Sequence, residues 1–255
     1  MSYSLKDLAK MIDHSLLHPT MTDSDLQKGC ELAKKYDVAS VCIKPYAVKS
    51  AVEWLKGCSV LVGTVIGFPH GNSDTSIKVA EARLAVKDGA SEVDMVINIG
   101  KALGGDWAYV ENEISAINSA VVEGGGILKV IFENDYLKED TIEKLCLICN
   151  RVNVAFVKTS SGYGFVKQSN GFYNYNGATA PHLKLMRKVT ADHIEVKAAG
   201  GVRTLRDLVY VRSIGVTRIG ATSTATMLDE AKAMLDRGET LESLLKGNVA
   251  LGGGY

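Results

Sequence analysis

Val154-Ala-Phe-Val-Lys-Thr-Ser-Ser-Gly-Tyr-Gly164 is an apolar run that stops at Lys158 and passes into a turn rich in hydroxyls and glycine. A lysine at the end of a buried strand is costly unless it reaches solvent, finds a partner or loses its proton and does chemistry. Working outward, the same pattern recurs along the chain. Strand-like runs are predicted at Met11–Leu17, Ala39–Lys44, Val60–Phe68, Glu92–Ile99, Ile127–Phe132, Val154–Thr159, Ile194–Ala199 and Arg218–Ala221. Each is followed by a stretch of helical spacing: Thr22–Lys35, Tyr46–Lys56, Thr75–Asp88, Asp106–Glu123, Lys138–Asn150, Ala180–Val189, Leu205–Ile214 and Ala225–Arg237. Most of the strand-like runs are continuously apolar, as in strands buried on both faces of a parallel sheet. Eight such units predict a closed (β/α)8 barrel, a TIM barrel, preceded by a short N-terminal helix over Ser4–Lys10 and followed by a C-terminal tail from Leu241 to Tyr255. An open doubly wound sheet is the alternative, but it usually carries G-x-G-x-x-G after its first strand, and no such fingerprint stands there. No linker interrupts the alternation, so a single domain over residues 1–255 is expected.

Composition narrows the function. The 255 residues are 46% hydrophobic and 23% charged, and 29 basic residues balance 29 acidic ones. That balance gives no general footprint for nucleic acid or for an anionic membrane. The polar stretch from Met1 to Thr20 has no signal-peptide pattern, and the apolar run at Val60–Phe68 is too short to span a bilayer. Five scattered cysteines fit reduced thiols and a cytoplasmic location. Cys146 and Cys149 form a lone C-x-x-C inside an apolar helical stretch, which reads as packing rather than as a metal or redox pair. The five histidines are taken as non-ligands, and no metal site is expected.

Function in such a barrel collects at the C-terminal ends of the strands. The polar residues there are Asp13, Cys42 and Lys44, Thr64, Asp94 and Asn98, Lys129 and Glu133, Lys158, Lys197, and the turn Gly220-Ala-Thr-Ser223. Lys158 and Lys197 lie on adjacent strands. Like charges in a poorly hydrated space depress each other's pKa, so one of them can be a neutral amine that attacks a carbonyl to form an iminium. Asp94, a carboxylate in an otherwise apolar strand, is the candidate proton relay. The competing reading is a structural salt-bridge network with Asp94, Glu133 or Glu195. A second constellation, Gly200-Gly-Val-Arg203 with Gly220-Ala-Thr-Ser223, follows the seventh and eighth strands. Glycine amides, hydroxyls and a helix start near Ser223 make this the usual phosphate site of the barrel.

Several of these stretches together resemble the deoxyribose-phosphate aldolases, which are class I aldolases: Phe156-Val-Lys-Thr-Ser-Ser-Gly162, Glu92-Val-Asp-Met-Val-Ile-Asn98, Lys197-Ala-Ala-Gly-Gly-Val-Arg203 and Arg218-Ile-Gly-Ala-Thr-Ser223. Ile12-Asp-His14, Ser40-Val-Cys-Ile-Lys-Pro45, Gly67-Phe-Pro69 and Leu128-Lys-Val-Ile131 extend the match along most of the chain. The resemblance implies reversible cleavage of 2-deoxy-D-ribose 5-phosphate to D-glyceraldehyde 3-phosphate and acetaldehyde, without metal or organic cofactor, in a homodimer. It implies Lys158 as the Schiff-base lysine, Lys197 as the lysine that tunes it, Asp94 as the proton relay through water, and Asp13 as the carboxylate holding the lysine network. Ser161, Gly200, Gly201, Gly220, Thr222 and Ser223 fall at substrate- and phosphate-binding positions. Tyr255, behind Gly252-Gly-Gly254, matches a terminal tyrosine that assists proton transfer.

Two departures stand out. Tyr163 occupies a position where some relatives carry a phosphate-binding lysine. The segment Phe165–Gly177 is several residues longer than is usual and is either a surface loop, an oligomer contact or a lid. Lys167 is the candidate replacement for the missing lysine. The rival functions are another class I aldolase, a phosphosugar-binding protein that forms no iminium, and an isomerase or synthase barrel, which would favour carboxylates or a histidine over paired lysines.

Overall fold

The eight apolar runs pair side by side in parallel and close on themselves, as the alternation predicts. The computed structural model of the protein describes residues 3–246 and Leu251. The barrel strands are β1 (Ile12–Leu16), β2 (Ser40–Ile43), β3 (Leu61–Ile66), β4 (Glu92–Val96), β5 (Ile127–Ile131), β6 (Phe156–Lys158), β7 (Glu195–Ala199) and β8 (Arg218–Ala221). Closure is made by β1, where Asp13 lies opposite Ser40 of β2 on one side and Gly220 of β8 on the other. Among the described residues no helix is long and apolar enough to cross a membrane.

Local signals set the element ends. Ser4 and Asp7 form a reciprocal capping box at the helix Leu5–Ala9, and Thr22 and Asp25 do the same for Asp23–Tyr36. The apolar face of the second helix, Leu26, Cys30 and Ala33, is fully buried against the barrel. Cys146 and Cys149 are buried in the helix Glu139–Val152. Burial pushes the Cys146 thiol up to about 12 and Cys149 well above the ordinary value, so neither is a thiolate. The fourth strand is shorter than its apolar run: Asn98 turns to cap a short helix, Ile99–Leu103, by accepting the Lys101 N–H. The long segment after β6 forms a two-stranded antiparallel hairpin, Val166–Lys167 with Tyr173–Asn174, beside the barrel mouth.

The core is layered. Apolar residues fill the space between strands and helices. The inside of the barrel holds a polar layer instead, and strand register decides who meets there. Lys158 stands directly opposite Lys197, Asp94 opposite Lys129, and Arg218 opposite Lys197.

Candidate active site

Parallel register at β6 and β7 brings the two lysines to one level, and carboxylates from β1 and β4 fill the space between them. Lys158 Nζ lies 2.7 Å from Asp94 Oδ2, and Lys197 Nζ lies 2.8 Å from the same oxygen. Lys197 also donates a short hydrogen bond to Asp13 Oδ2. Beneath them Lys129 Nζ reaches Asp13 Oδ2 at 2.8 Å, Glu92 Oε2 at 2.5 Å and Asp94 Oδ1 at 3.5 Å. Arg218 Nη1 donates to Asp13 Oδ1 at 2.6 Å and to both Glu92 oxygens at 3.0 Å, and the Ser40 hydroxyl completes Asp13 at 2.7 Å.

This cluster counts four cations, Lys129, Lys158, Lys197 and Arg218, against three carboxylates, Asp13, Glu92 and Asp94. One cation is in excess, and burying an uncompensated charge is expensive. The cheapest proton to lose belongs to the least supported lysine. Burial pushes Lys158 below the ordinary lysine value, Lys197 adds to that effect, and Asp94 opposes it. Lys197 goes the other way. Burial disfavours its charge, but Asp13 and Asp94 outweigh burial and hold it well above the usual range. Burial likewise disfavours ionised Asp13 and Asp94, yet the surrounding cations keep both carboxyls below their ordinary values. The expectation that the two lysines depress each other is therefore corrected in one respect. Only Lys158 is depressed, because Lys197 has two carboxylates and Lys158 shares one.

Lys158 and Lys197 open into a cavity of about 230 Å³. Asp13, Cys42, Ser161, Gly162 and Tyr163 line it, together with Gly200, Gly201, Arg203, Gly220 and Thr222. Gly200 and Gly201 both have positive φ, at 75° and 86°, which only glycine adopts freely. The helix Thr224–Asp236 begins here, and its N-cap Ser223 makes no side-chain cap bond. The first-turn amides are thus left for an anion. The neighbouring helix Leu205–Ser213 differs: Thr204 and Asp207 cap it reciprocally, and Asp207 also takes the Arg203 N–H at 3.1 Å. The arrangement offers a poorly solvated amine and an anion cradle in one cavity. It suits covalent chemistry on the carbonyl of a molecule that also carries a negative group.

Residues 8–226 match the DeoC/LacD family aldolases.

The chain belongs to this family.

It is 48% identical over 233 residues to the deoxyribose-phosphate aldolase of Rhodopirellula baltica, covering 91% of this chain and 92% of the relative. It is 44% identical to that of Treponema denticola over 217 residues, 85% of this chain and 96% of the relative. Among solved structures, the tetrameric deoxyribose phosphate aldolase of Aeropyrum pernix superposes with a TM-score of 0.81 at 26% identity, covering 91% of this chain and 93% of that one. The aldolase QR15 gives 0.82 at 31% identity, covering 91% of this chain and 99% of that one.

The structure brings together most of the family positions named from the sequence. Asp13, Lys158, Lys197, Ser161, Tyr163, Gly200, Gly201, Gly220 and Thr222 line one cavity. Asp94 stands behind the two lysines, and Ser223 stands at the helix start next to the lining residue Thr222. Tyr255 lies outside the described residues. Lys167 is exposed on the hairpin and does not line the cavity, so the hairpin turns the candidate replacement lysine outward. Arg203 supplies positive charge at the glycine end instead. Sequence reasoning assigned no role to Lys129, Glu92, Arg218 or Ser40, which hold Asp13 and Asp94 from below. Period-two alternation was the available signal for Glu92, two residues before Asp94 on the same strand.

Proposed function

We propose that this protein is a class I aldolase that reversibly cleaves 2-deoxy-D-ribose 5-phosphate to D-glyceraldehyde 3-phosphate and acetaldehyde. The observation that carries the reading is the unequal pair of lysines on one carboxylate: Lys158, with its pKa depressed, at 2.7 Å from Asp94 and Lys197, held charged, at 2.8 Å from it. Unprotonated Lys158 Nζ attacks C1 of the open-chain sugar, and loss of water gives a protonated iminium. The C3 hydroxyl then gives up its proton, and the C2–C3 bond breaks with its electron pair drawn toward the iminium. C3 departs as the aldehyde of glyceraldehyde 3-phosphate, leaving an enamine. Protonation of that enamine at C2 and attack by water release acetaldehyde and restore the amine.

In this reading Asp94 moves protons near Lys158, working through water. Among the described residues its Oδ1 accepts no hydrogen bond, and it lies 3.5 Å from Lys129. Burial lowers the Lys158 pKa, Lys197 as a fixed positive charge lowers it further, and Asp13 orients Lys197. Ser161, Tyr163, Gly200, Gly201, Gly220, Thr222 and Ser223 hold the substrate and its phosphate, with Arg203 added. Tyr255 assists proton transfer. The chain acts as one barrel domain, in the cytoplasm, as a homodimer.

Incubation with acetaldehyde and borohydride, followed by peptide mass mapping, tests the chemistry. A reduced two-carbon adduct on Lys158 is expected. An unlabelled Lys158 would overturn the mechanism, and product analysis separates this substrate from other phosphosugars.

A further inference from the structure

The turn after β5 grips the segment that departs from the family pattern. Glu133, which precedes the turn Asn134–Tyr136, accepts the Ser161 N–H at 3.1 and 3.2 Å. Tyr136 Oη donates to the Phe165 carbonyl at 3.0 Å, at the near foot of the hairpin. Asp135 takes the far foot: Oδ1 accepts the Asn176 N–H at 2.6 Å, and Oδ2 accepts the Gly177 N–H at 3.0 Å. Asp135 itself does not line the cavity.

That far foot rests on the glycine loop. The Ala178 N–H donates to the Gly200 carbonyl at 2.9 Å. Gly177 has φ 69°, and a Cβ there would lie 2.5 Å from the Gly200 oxygen, so backbone packs on backbone. The Tyr175 ring covers the other side, with its Cε2 only 3.1 Å from where a Gly200 Cβ would stand. Tyr175 and Gly200 both line the cavity. An unbroken chain of contacts thus runs from Asp135 through Gly177 to the anion cradle. It bypasses Lys158, whose carboxylate partner comes from β4.

We infer that Asp135 is a positioning residue for the phosphate end of the substrate, acting through Asn176, Gly177 and Ala178 on Gly200 and through Tyr175 on the adjoining wall. The inference rests on the aldolase reading above. Two charge-assisted hydrogen bonds accepted by one carboxylate fix a foot whose asparagine and glycine would otherwise sample many conformations. Released, the foot ceases to define Gly200, and the cradle's amides lose their common aim. The reacting end keeps its geometry.

The test uses the full chain with Asp135→Ala and the isosteric Asp135→Asn, measuring kcat and KM for 2-deoxyribose 5-phosphate and for unphosphorylated 2-deoxyribose. Asp135→Ala is expected to raise KM for the phosphorylated sugar about tenfold, the scale of one charge-assisted hydrogen bond. KM for the unphosphorylated sugar and kcat for both should change by less than about twofold. Asp135→Asn keeps one acceptor and should fall between wild type and Asp135→Ala; it carries the test if the alanine variant does not fold. Equal shifts for both sugars, or a lowered melting temperature with an unchanged KM ratio, would overturn the inference and leave only a structural role. Acetaldehyde–borohydride labelling runs in parallel: a labelled wild type with an unchanged ratio sinks the positioning role alone, whereas an unlabelled wild type sinks the aldolase reading and this inference together.

Discussion

Two lysines are buried in this barrel's neighbourhood with depressed pKa values, and they have opposite fates. Lys78, on the helix Thr75–Lys87, donates to the Gly71 carbonyl at 2.6 Å, the Val96 carbonyl at 2.9 Å and Glu113 Oε1 at 2.8 Å. All three of its N–H bonds are used, and Glu113 spends its second oxygen on the Asn98 N–H at 2.9 Å. Burial lowers Lys78, with Glu113 opposing. Lys158 is lowered first by burial too, but among the described residues its one hydrogen-bond acceptor is Asp94 Oδ2, already shared with Lys197. A buried lysine is therefore not reactive merely because it is buried. On the proposed chemistry it becomes reactive when its acceptors are too few for its donors, its local charge count is in excess, and a cavity reaches its nitrogen.

The comparison breaks most sharply at Lys78. Lys78→Met leaves Glu113 charged and buried without its cation, and should cost about 3–5 kcal/mol in urea unfolding while kcat per folded molecule is preserved. A cost under about 1 kcal/mol would mean that the ion pair does not support the fold. Next comes Lys197→Met. Removing the cation beside Lys158 frees Asp94 Oδ2 for Lys158, while Lys129 keeps facing Oδ1, so the Lys158 pKa rises. With the neutral amine as nucleophile in the proposed mechanism, the rate of iminium formation climbs with pH until that pKa is passed. The acid limb should therefore move to higher pH, with kcat at neutral pH down by about a hundredfold. A limb that stays in place would remove Lys197 from the tuning role.

The smallest effect concerns Glu133, a buried carboxylate at φ 62° that accepts the Ser161 N–H and makes no ion pair among the described residues. Burial pushes it up to about 7, with the Ser161 hydrogen bonds opposing. Its folded pKa lies above the unfolded one, so its contribution to stability is fully present below about pH 4.5 and is lost as pH rises through 7. Glu133→Gln carries no charge to bury. It should be more stable than wild type at pH 8 by about 1–3 kcal/mol, with the gap closing at pH 5, read from denaturant midpoints. A pH-independent gap would mean that Glu133 is not the titrating group. Asp94, with three lysines around it, is the opposite case and keeps its charge to far lower pH.

How far the sequence carried this account depended on distance along the chain. Apolar runs, caps such as Ser4 with Asp7, and the lysine ending Val154–Lys158 are local features, and local sterics and periodicity made them readable. Lys158 opposite Lys197 was also legible, since consecutive barrel strands are neighbours. Arg218 meeting Glu92, 126 residues away, was not, because only closure and stagger of the barrel decide who meets across its interior. Asn98 looked like the continuation of a strand until its side chain was seen capping the next helix. Lys167 lies away from the cavity lining for a related reason. Its side depends on the hairpin's pairing with Tyr173, which a stretch rich in glycine and asparagine specifies weakly.

The charge count of the barrel interior has one further consequence. With Lys158 neutral, three cations balance three carboxylates. On the proposed chemistry, forming the iminium returns one positive charge to a site that had been relieved of it. Collapse to the enamine discharges it again. On that chemistry the interior behaves like a spring loaded by the first chemical step and released by the bond cleavage, and the imbalance that favours the free amine also favours the iminium moving onward.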